Sequence, residues 1–283
     1  MIRGAITKAR TFRWMYFMFF LFFFIYVAWR HRYHWFLFPM LEIQENPLTY
    51  TEYFFPNGMG SWKYDPLENR EDGGEEKDIM VYFNGNAGNC STRTPSIRIV
   101  QTLFPTFHIF HLEYPGFGIS SHLSCSWPLL LQYCREACES IRQTHHIKRL
   151  MYWGESIGAL VARHVVSFVE PDWYVSVNGV QDGSRLLEFH VFWGFHLFLK
   201  PWVQVFSEKD RLVNISRRVR WVFFHATEDR LVPPSQSMTR ALELLEQGHE
   251  CYYETLHGDH NMALLINENQ DILRRFFHQK MSG

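Results

Sequence analysis

The sequence has no surplus of either charge: 28 lysines and arginines stand against 29 aspartates and glutamates, for a formal net charge of −1. A chain without a basic surplus lacks the footprint of a nucleic-acid binder, and no nucleic-acid partner is expected. There is no Cys-x-x-Cys pair and no His-Glu-x-x-His stretch, so no metal site is expected either. Cysteines number five, an odd count, and only Cys134 and Cys138 have a suggestive spacing. On a helix those two would share a face as small buried apolar residues. No internal repeat has a useful period, which excludes solenoids and propellers. What is present in quantity is apolar and aromatic: 47% hydrophobic residues against 20% charged, with 26 phenylalanines. That is ample material for a core, and 283 residues suit one large domain with an appendage.

Acid is missing altogether from the first 41 residues, while Arg3, Lys8, Arg10, Arg13, Arg30 and Arg32 lie among them. Between Arg13 and Arg30 runs an uninterrupted apolar stretch, Trp14 to Trp29. At about 1.5 Å per residue it covers roughly 24 Å of helix, a little short of a ~30 Å hydrocarbon core. Snorkelling arginines and interfacial Trp14, Tyr26 and Trp29 make up the difference. No small-x-small cleavage site follows Ala28, and the run has no polar face. The expectation is an uncleaved signal anchor in residues 1–34 and a membrane-proximal linker in 35–49. The basic residues before the run favour a cytosolic N-terminus, by the positive-inside rule, with the body at 50–283 on the luminal or outer side. The localisation expected is therefore a membrane, single-pass, in the endomembrane system or at the cell surface. Asn89-Cys-Ser and Asn214-Ile-Ser match the glycosylation sequon, which matters only in that orientation.

In the body, residues 66–78 form a charged, glycine-containing loop, after which strand-like and helix-like runs alternate. Strands are predicted over 79–83, 107–112, 149–153, 173–177, 219–224 and 250–255. Helices are predicted over 91–104, 127–145, 156–169, 236–247 and 262–278. Such alternation implies βαβ units, an α/β class and a mainly parallel sheet with helices on both faces. Ligand sites in that architecture lie just beyond the carboxyl ends of the strands.

Gly154-Glu155-Ser156-Ile157-Gly158 stands between a predicted strand and a predicted helix and fits G-x-S-x-G. Its glycines permit a tight strand-to-helix turn, with the serine held in a strained conformation and its hydroxyl exposed. A serine needs a base, and the base an orienting acid. Asp229 follows the strand VRWVFF, and His260 follows the strand CYYET. The order Ser156, Asp229, His260 fits the topology better than the competitors do. Asp210 follows an aromatic helical stretch, and His225 comes too early in its loop. His257 lacks the preceding Gly258-Asp259 turn, and His145-His146 reads as a cationic helix end. The attacked carbonyl would need backbone donors. Those expected are the N–H of Ile157 and one from the loop Asn84-Gly85-Asn86-Ala87-Gly88-Asn89. That loop lacks both G-x-G-x-x-G and a P-loop lysine, so a phosphate-binding role ranks below. Residues 189–206, FHVFWGFHLFLKPWVQVF, read either as a core-packed helix or as a short aromatic cap over the site.

The set YFNGNAGN, EYPGFGIS, GESIGA, ATEDRLVPP and GDHN resembles the α/β hydrolases, above all the eukaryotic α/β-hydrolase-domain proteins with one N-terminal membrane anchor. The resemblance runs from about Ile79 to the C-terminus. It implies the α/β-hydrolase fold, Ser156 as nucleophile, Asp229 as acid, His260 as base, and oxyanion donors at Asn86 and Ile157. It also implies that residues 114–120 are a structural turn. The family usually has His-Gly where this chain has Asn84-Gly85. The activity implied is a serine hydrolase acting on acyl esters or thioesters of a lipid-like or acylated substrate, through an acyl-enzyme and with no cofactor. A protein depalmitoylase or serine peptidase on the same triad, and a catalytically silent binding module, are the alternatives.

Overall fold

The computed structural model describes residues 48–68, 76–86, 89–183, 185–186 and 215–281. The signal anchor and most of the linker, the aromatic stretch 189–206, Asp210 and the sequon at Asn214 lie outside them. Among the described residues no helix is long and apolar enough to cross a membrane.

Eight strands form one sheet: β1 (Thr51–Phe54), β2 (Gly60–Tyr64), β3 (Lys77–Phe83), β4 (Phe107–Leu112), β5 (Ile147–Glu155), β6 (Trp173–Val177), β7 (Arg220–Ala226) and β8 (Cys251–Leu256). Their order is β1-β2-β4-β3-β5-β6-β7-β8. The pairs β1/β2 and β2/β4 are antiparallel, and every pair from β4 through β8 is parallel. Five helices accompany them among the described residues: α1 (Thr94–Leu103), α2 (Trp127–Thr144), α3 (Ile157–Val166), α4 (Ser235–Glu246) and α5 (Asn267–Met281). The antiparallel pair β1 and β2 is absent from the sequence reading, and it extends the sheet beyond β4.

The central strands are buried on both sides, so their sequences are continuous apolar runs. Because side chains alternate across a strand, each run feeds two cores. Met80, Tyr82, Met151, Trp153, Val175, Val222 and Phe224 share one cluster with Ile97 and Val100 of α1 and with Leu273, Phe276 and Phe277 of α5. On the opposite face Phe83 meets Tyr152 edge-on, and the Tyr174 hydroxyl donates to the Ala159 carbonyl of α3 at 2.8 Å. Cys134 and Cys138 are buried on α2, and every cysteine is a free thiol. The predicted helix 262–278 is interrupted: a 3-10 turn at Ala263–Leu265 is followed by an extended Ile266 before α5. Ile266 is drawn under the turn at Gly258, where a Cβ would stand 2.5 Å from its Cδ1.

The chain passes from β3 to β4 on one side of β3, then returns to β5 on the other. The carboxyl ends of β3 and β5 therefore flank the topological switch point of the sheet, where folds of this class place their ligand sites. Asn84–Asn86 leave β3 there, and Ser156 leaves β5.

Candidate active site

Ser156 directly follows β5, with φ 54 and ψ −121, and is one of two non-glycine residues with positive φ among those described. That strained backbone is held by hydrogen bonds at both ends. The Ser156 N–H donates to the Val177 carbonyl at 3.0 Å, and the Ser156 carbonyl accepts from the Val180 N–H at 2.9 Å. The turn closes only because its flanks have no side chain. A Cβ on Gly154 would lie 2.5 Å from the Ala159 Cα, and one on Gly158 would lie 2.2 Å from the Phe83 carbonyl oxygen.

The structure brings Ser156, His260 and Asp229 into one hydrogen-bonded series. His260 Nε2 is 2.9 Å from Ser156 Oγ, and His260 Nδ1 is 2.6 Å from Asp229 Oδ2. With a carboxylate facing Nδ1, that nitrogen carries the proton and leaves Nε2 to accept from the serine hydroxyl. Asp229 Oδ1 accepts the N–H groups of Leu231 at 2.9 Å and Val232 at 2.8 Å. Burial alone would raise the Asp229 pKa, but donors from His225, His260 and Val232 outweigh it and hold the carboxyl below the usual range. The aspartate is thus an anion whose lone pairs are all occupied. The turn that presents the histidine uses Gly258 at φ +86, and Asp259 Oδ1 closes it by accepting from Asn261 and Met262.

The loop after β3 lies against Ser156. A Cβ on Gly85 would stand 3.4 Å from the Ser156 Cβ and 2.8 Å from Arg93 Nη2. Asn84 anchors it. Its Nδ2 donates to the Leu112 carbonyl at 3.2 Å, and its Oδ1 lies 2.5 Å from His111 Nε2. The Tyr114 hydroxyl donates to the Asn84 carbonyl at 3.0 Å. Complete burial, then Arg93, push His111 down to about 3, so it is neutral and Nε2 is its donor. Asn86 is half-buried in this loop, and its Oδ1 has no hydrogen-bond partner among the described residues. Ile157 opens α3, where first-turn N–H groups have no helical acceptor. Beneath the turn, the Tyr82 hydroxyl donates to Glu155, whose other carboxylate oxygen is 3.7 Å from Arg93 Nη1.

The competitors fall elsewhere or into supporting positions. His257 is exposed, and its main chain is held by Asn269. His145 does cap α2, but burial lowers its pKa, so the cationic reading is corrected to a neutral ring at pH 7. His225 is fully buried, at the end of β7, with Nε2 2.9 Å from the Val232 carbonyl and 3.2 Å from Asp229 Oδ2. Two acceptors at Nε2 put its proton there, and Nδ1 takes the Ser237 hydroxyl at 2.7 Å. The sequence reading placed His225 too early in its loop. It stands instead behind Asp229, and only the β7 register shows it. Asn178, also unforeseen, donates to the His260 carbonyl at 2.8 Å. The sequon asparagine Asn89 is buried, with its Oδ1 accepting from the Ser91 hydroxyl and the Thr92 N–H. Among the described residues no group of three or more His, Cys, Asp and Glu side chains could hold a metal ion.

Chemically, the arrangement can deprotonate a serine hydroxyl as it attacks a carbonyl carbon, and return the proton to a leaving group. No family model matches the chain, and no curated protein matches it. Solved structures do. The chain is similar to an esterase of Pyrococcus furiosus at 13% identity and a TM-score of 0.61, over 86% of this chain and 97% of that one. It is similar to an esterase of Pyrobaculum calidifontis at 12% identity and TM-score 0.61, over 84% and 87%. A puromycin-hydrolysing peptidase of Mycobacterium tuberculosis matches at 17% identity and TM-score 0.61, over 80% of this chain. The present chain spans 38% of that peptidase's length. At these identities the likeness is one of architecture, and the chain has the α/β-hydrolase fold.

Proposed function

We propose that this chain is a membrane-anchored serine hydrolase that cleaves acyl esters or thioesters. The observation that carries the reading is the unbroken series Ser156 Oγ, His260 Nε2, His260 Nδ1 and Asp229 Oδ2, with the serine on a left-handed turn at the switch point of the sheet. Ser156 Oγ attacks the acyl carbonyl while His260 Nε2 takes its proton. Asp229 holds the Nδ1–H tautomer and offsets the charge of the imidazolium. The N–H groups of Ile157 and Asn86 face the oxyanion. His260 then returns the proton to the departing alcohol or thiol, and water, deprotonated by the same ring, releases the acyl group.

The apolar run at residues 14–29 and the aromatic stretch 189–206 support a lipid-like substrate met at a membrane, with the N-terminus cytosolic. Two peptidases among the similar structures, from M. tuberculosis and Pyrococcus horikoshii, favour a second reading, amide cleavage on the same triad. The hydrogen bonds that hold Asn84 speak against a silent binding module, because the loop is anchored without the family's usual histidine. A fluorophosphonate probe applied to membranes carrying the full chain tests the enzyme reading. Labelling should map to Ser156 and vanish in Ser156→Ala, whereas a folded wild-type protein that stays unlabelled would refute it. Acyl esters, acyl thioesters and peptide amides offered side by side then separate the two substrates.

A further inference from the structure

The four residues from Val177 to Val180 touch both halves of the reacting pair. Their main chain bonds the nucleophile twice, through the Val177 carbonyl and the Val180 N–H. Their one polar side chain, Asn178, reaches the other half. Its Nδ2 donates to the His260 carbonyl at 2.8 Å, and its Oδ1 accepts from the Ala226 N–H at 2.8 Å. Its own N–H donates to the Phe224 carbonyl at 2.9 Å. Asn178 therefore extends the β6–β7 ladder by one rung with its side chain, then hands the far end of that rung to the loop after β8.

Such a bridge needs an unusual backbone. Asn178 has φ 48, and asparagine is among the few side chains that tolerate the left-handed region. The amide is 3% exposed, so water does not compete for its bonds. The next residue admits no alternative course, because a Cβ on Gly179 would lie 2.0 Å from Ser176 Oγ and 2.6 Å from the Ala159 Cβ. Ser156 and His260 are 104 residues apart in the chain, and this turn bonds to both.

We propose that Asn178 is a positioning residue: its amide, clamped between the main chains of Ala226 and His260, sets where the base stands relative to Ser156. The inference rests on the serine-hydrolase reading above. Without the clamp the His260 main chain is free to drift, and misplacing a reacting group by about 1 Å costs on the order of 100-fold in rate.

Asn178→Gly keeps the backbone permissive and deletes both side-chain bonds. Asn178→Asp keeps the acceptor for Ala226 and removes the donor to His260. The full chain in detergent is titrated with a fluorophosphonate to count reactive serines, and kcat and KM for a p-nitrophenyl acyl ester are expressed per titrated site. Both variants should melt within a few degrees of wild type and titrate fully, with kcat per site lower by about 10- to 100-fold and KM within about twofold. If the glycine variant does not fold, the aspartate variant decides. Unchanged kcat per site in a folded variant overturns the proposal, as does a loss seen in KM alone. Failure of both to fold overturns it in favour of a purely structural role. Wild-type protein that does not titrate overturns the hydrolase reading itself, and so is told apart from failure of the clamp.

Discussion

Glu113→Gln should remove a pH dependence that the wild-type fold carries at neutrality. Glu113 follows β4 and is 1% exposed. Its carboxylate oxygens lie 3.1 and 3.4 Å from the Cys90 nitrogen, whose N–H donates to them. Gly118, at φ +42, lies so close above that a Cβ there would stand 2.2 Å from Oε2. Burial raises the carboxyl from 4.5 to about 7, and the bonds from Cys90 recover only part of that. Between those two values the unfolded chain has released the proton and the folded chain still holds it. Stability therefore falls as pH rises, beginning near 4.5 and levelling off above about 7. At about 1.36 kcal/mol per pH unit the full loss is about 3 kcal/mol, most of it between pH 5 and 8. Glutamine is nearly isosteric, cannot ionise, and still offers an oxygen to Cys90. Denaturant unfolding of the two proteins, followed by tryptophan fluorescence at steps from pH 5 to 8, measures the difference. The wild type should lose about 2–3 kcal/mol more than the variant over that range. Parallel curves would show that Glu113 ionises in the fold at an ordinary pH and refute the reasoning.

Gly158→Ala should cost about 3 kcal/mol, because its Cβ meets two carbonyl oxygens, Phe83 at 2.2 Å and Asn84 at 2.3 Å, that cannot rotate away. An unchanged thermal midpoint would contradict that. Asp229→Asn should leave the fold intact and slow fluorophosphonate labelling by about four orders of magnitude, since an amide no longer enforces the Nδ1–H tautomer of His260. A rate within tenfold of wild type would remove Asp229 from the mechanism. Native alkylation at pH 8, read by mass spectrometry, should spare Cys90, Cys134 and Cys138, which are buried with thiols pushed up by burial. Rapid modification of any of the three would contradict the packing of α2 and the loop after β3.

The strands β3 to β7 were legible because they are buried on both faces and so stand out as apolar runs, whereas β8, at the sheet edge, buries only Leu256. β1 and β2 were not. TEYF is exposed at three of its four positions, and GSWKY carries a glycine, a serine and a lysine, so neither shows a run. Ser156, Asp229 and His260 could be picked out because each follows a strand and the order suits the topology. The residues that support them could not. His111 gives no sign in the sequence that it will face Asn84, and Asn178 and His225 bond to partners fixed by the pairing of β6, β7 and β8. A pairing register is set by the whole sheet, so a local pattern does not contain it. Asn89 shows the same limit from the other side, since a sequon says nothing about burial.

The distance in sequence between Ser156 and His260 makes the site a gauge of folding as well as a place for chemistry. A contact across 104 residues needs β6, β7 and β8 in place between its ends, and non-local pairing of this kind is slow to form. A partly assembled sheet would have Ser156 without His260. The rate at which a refolding sample regains reactivity toward a serine-directed probe would then time the last strand to arrive.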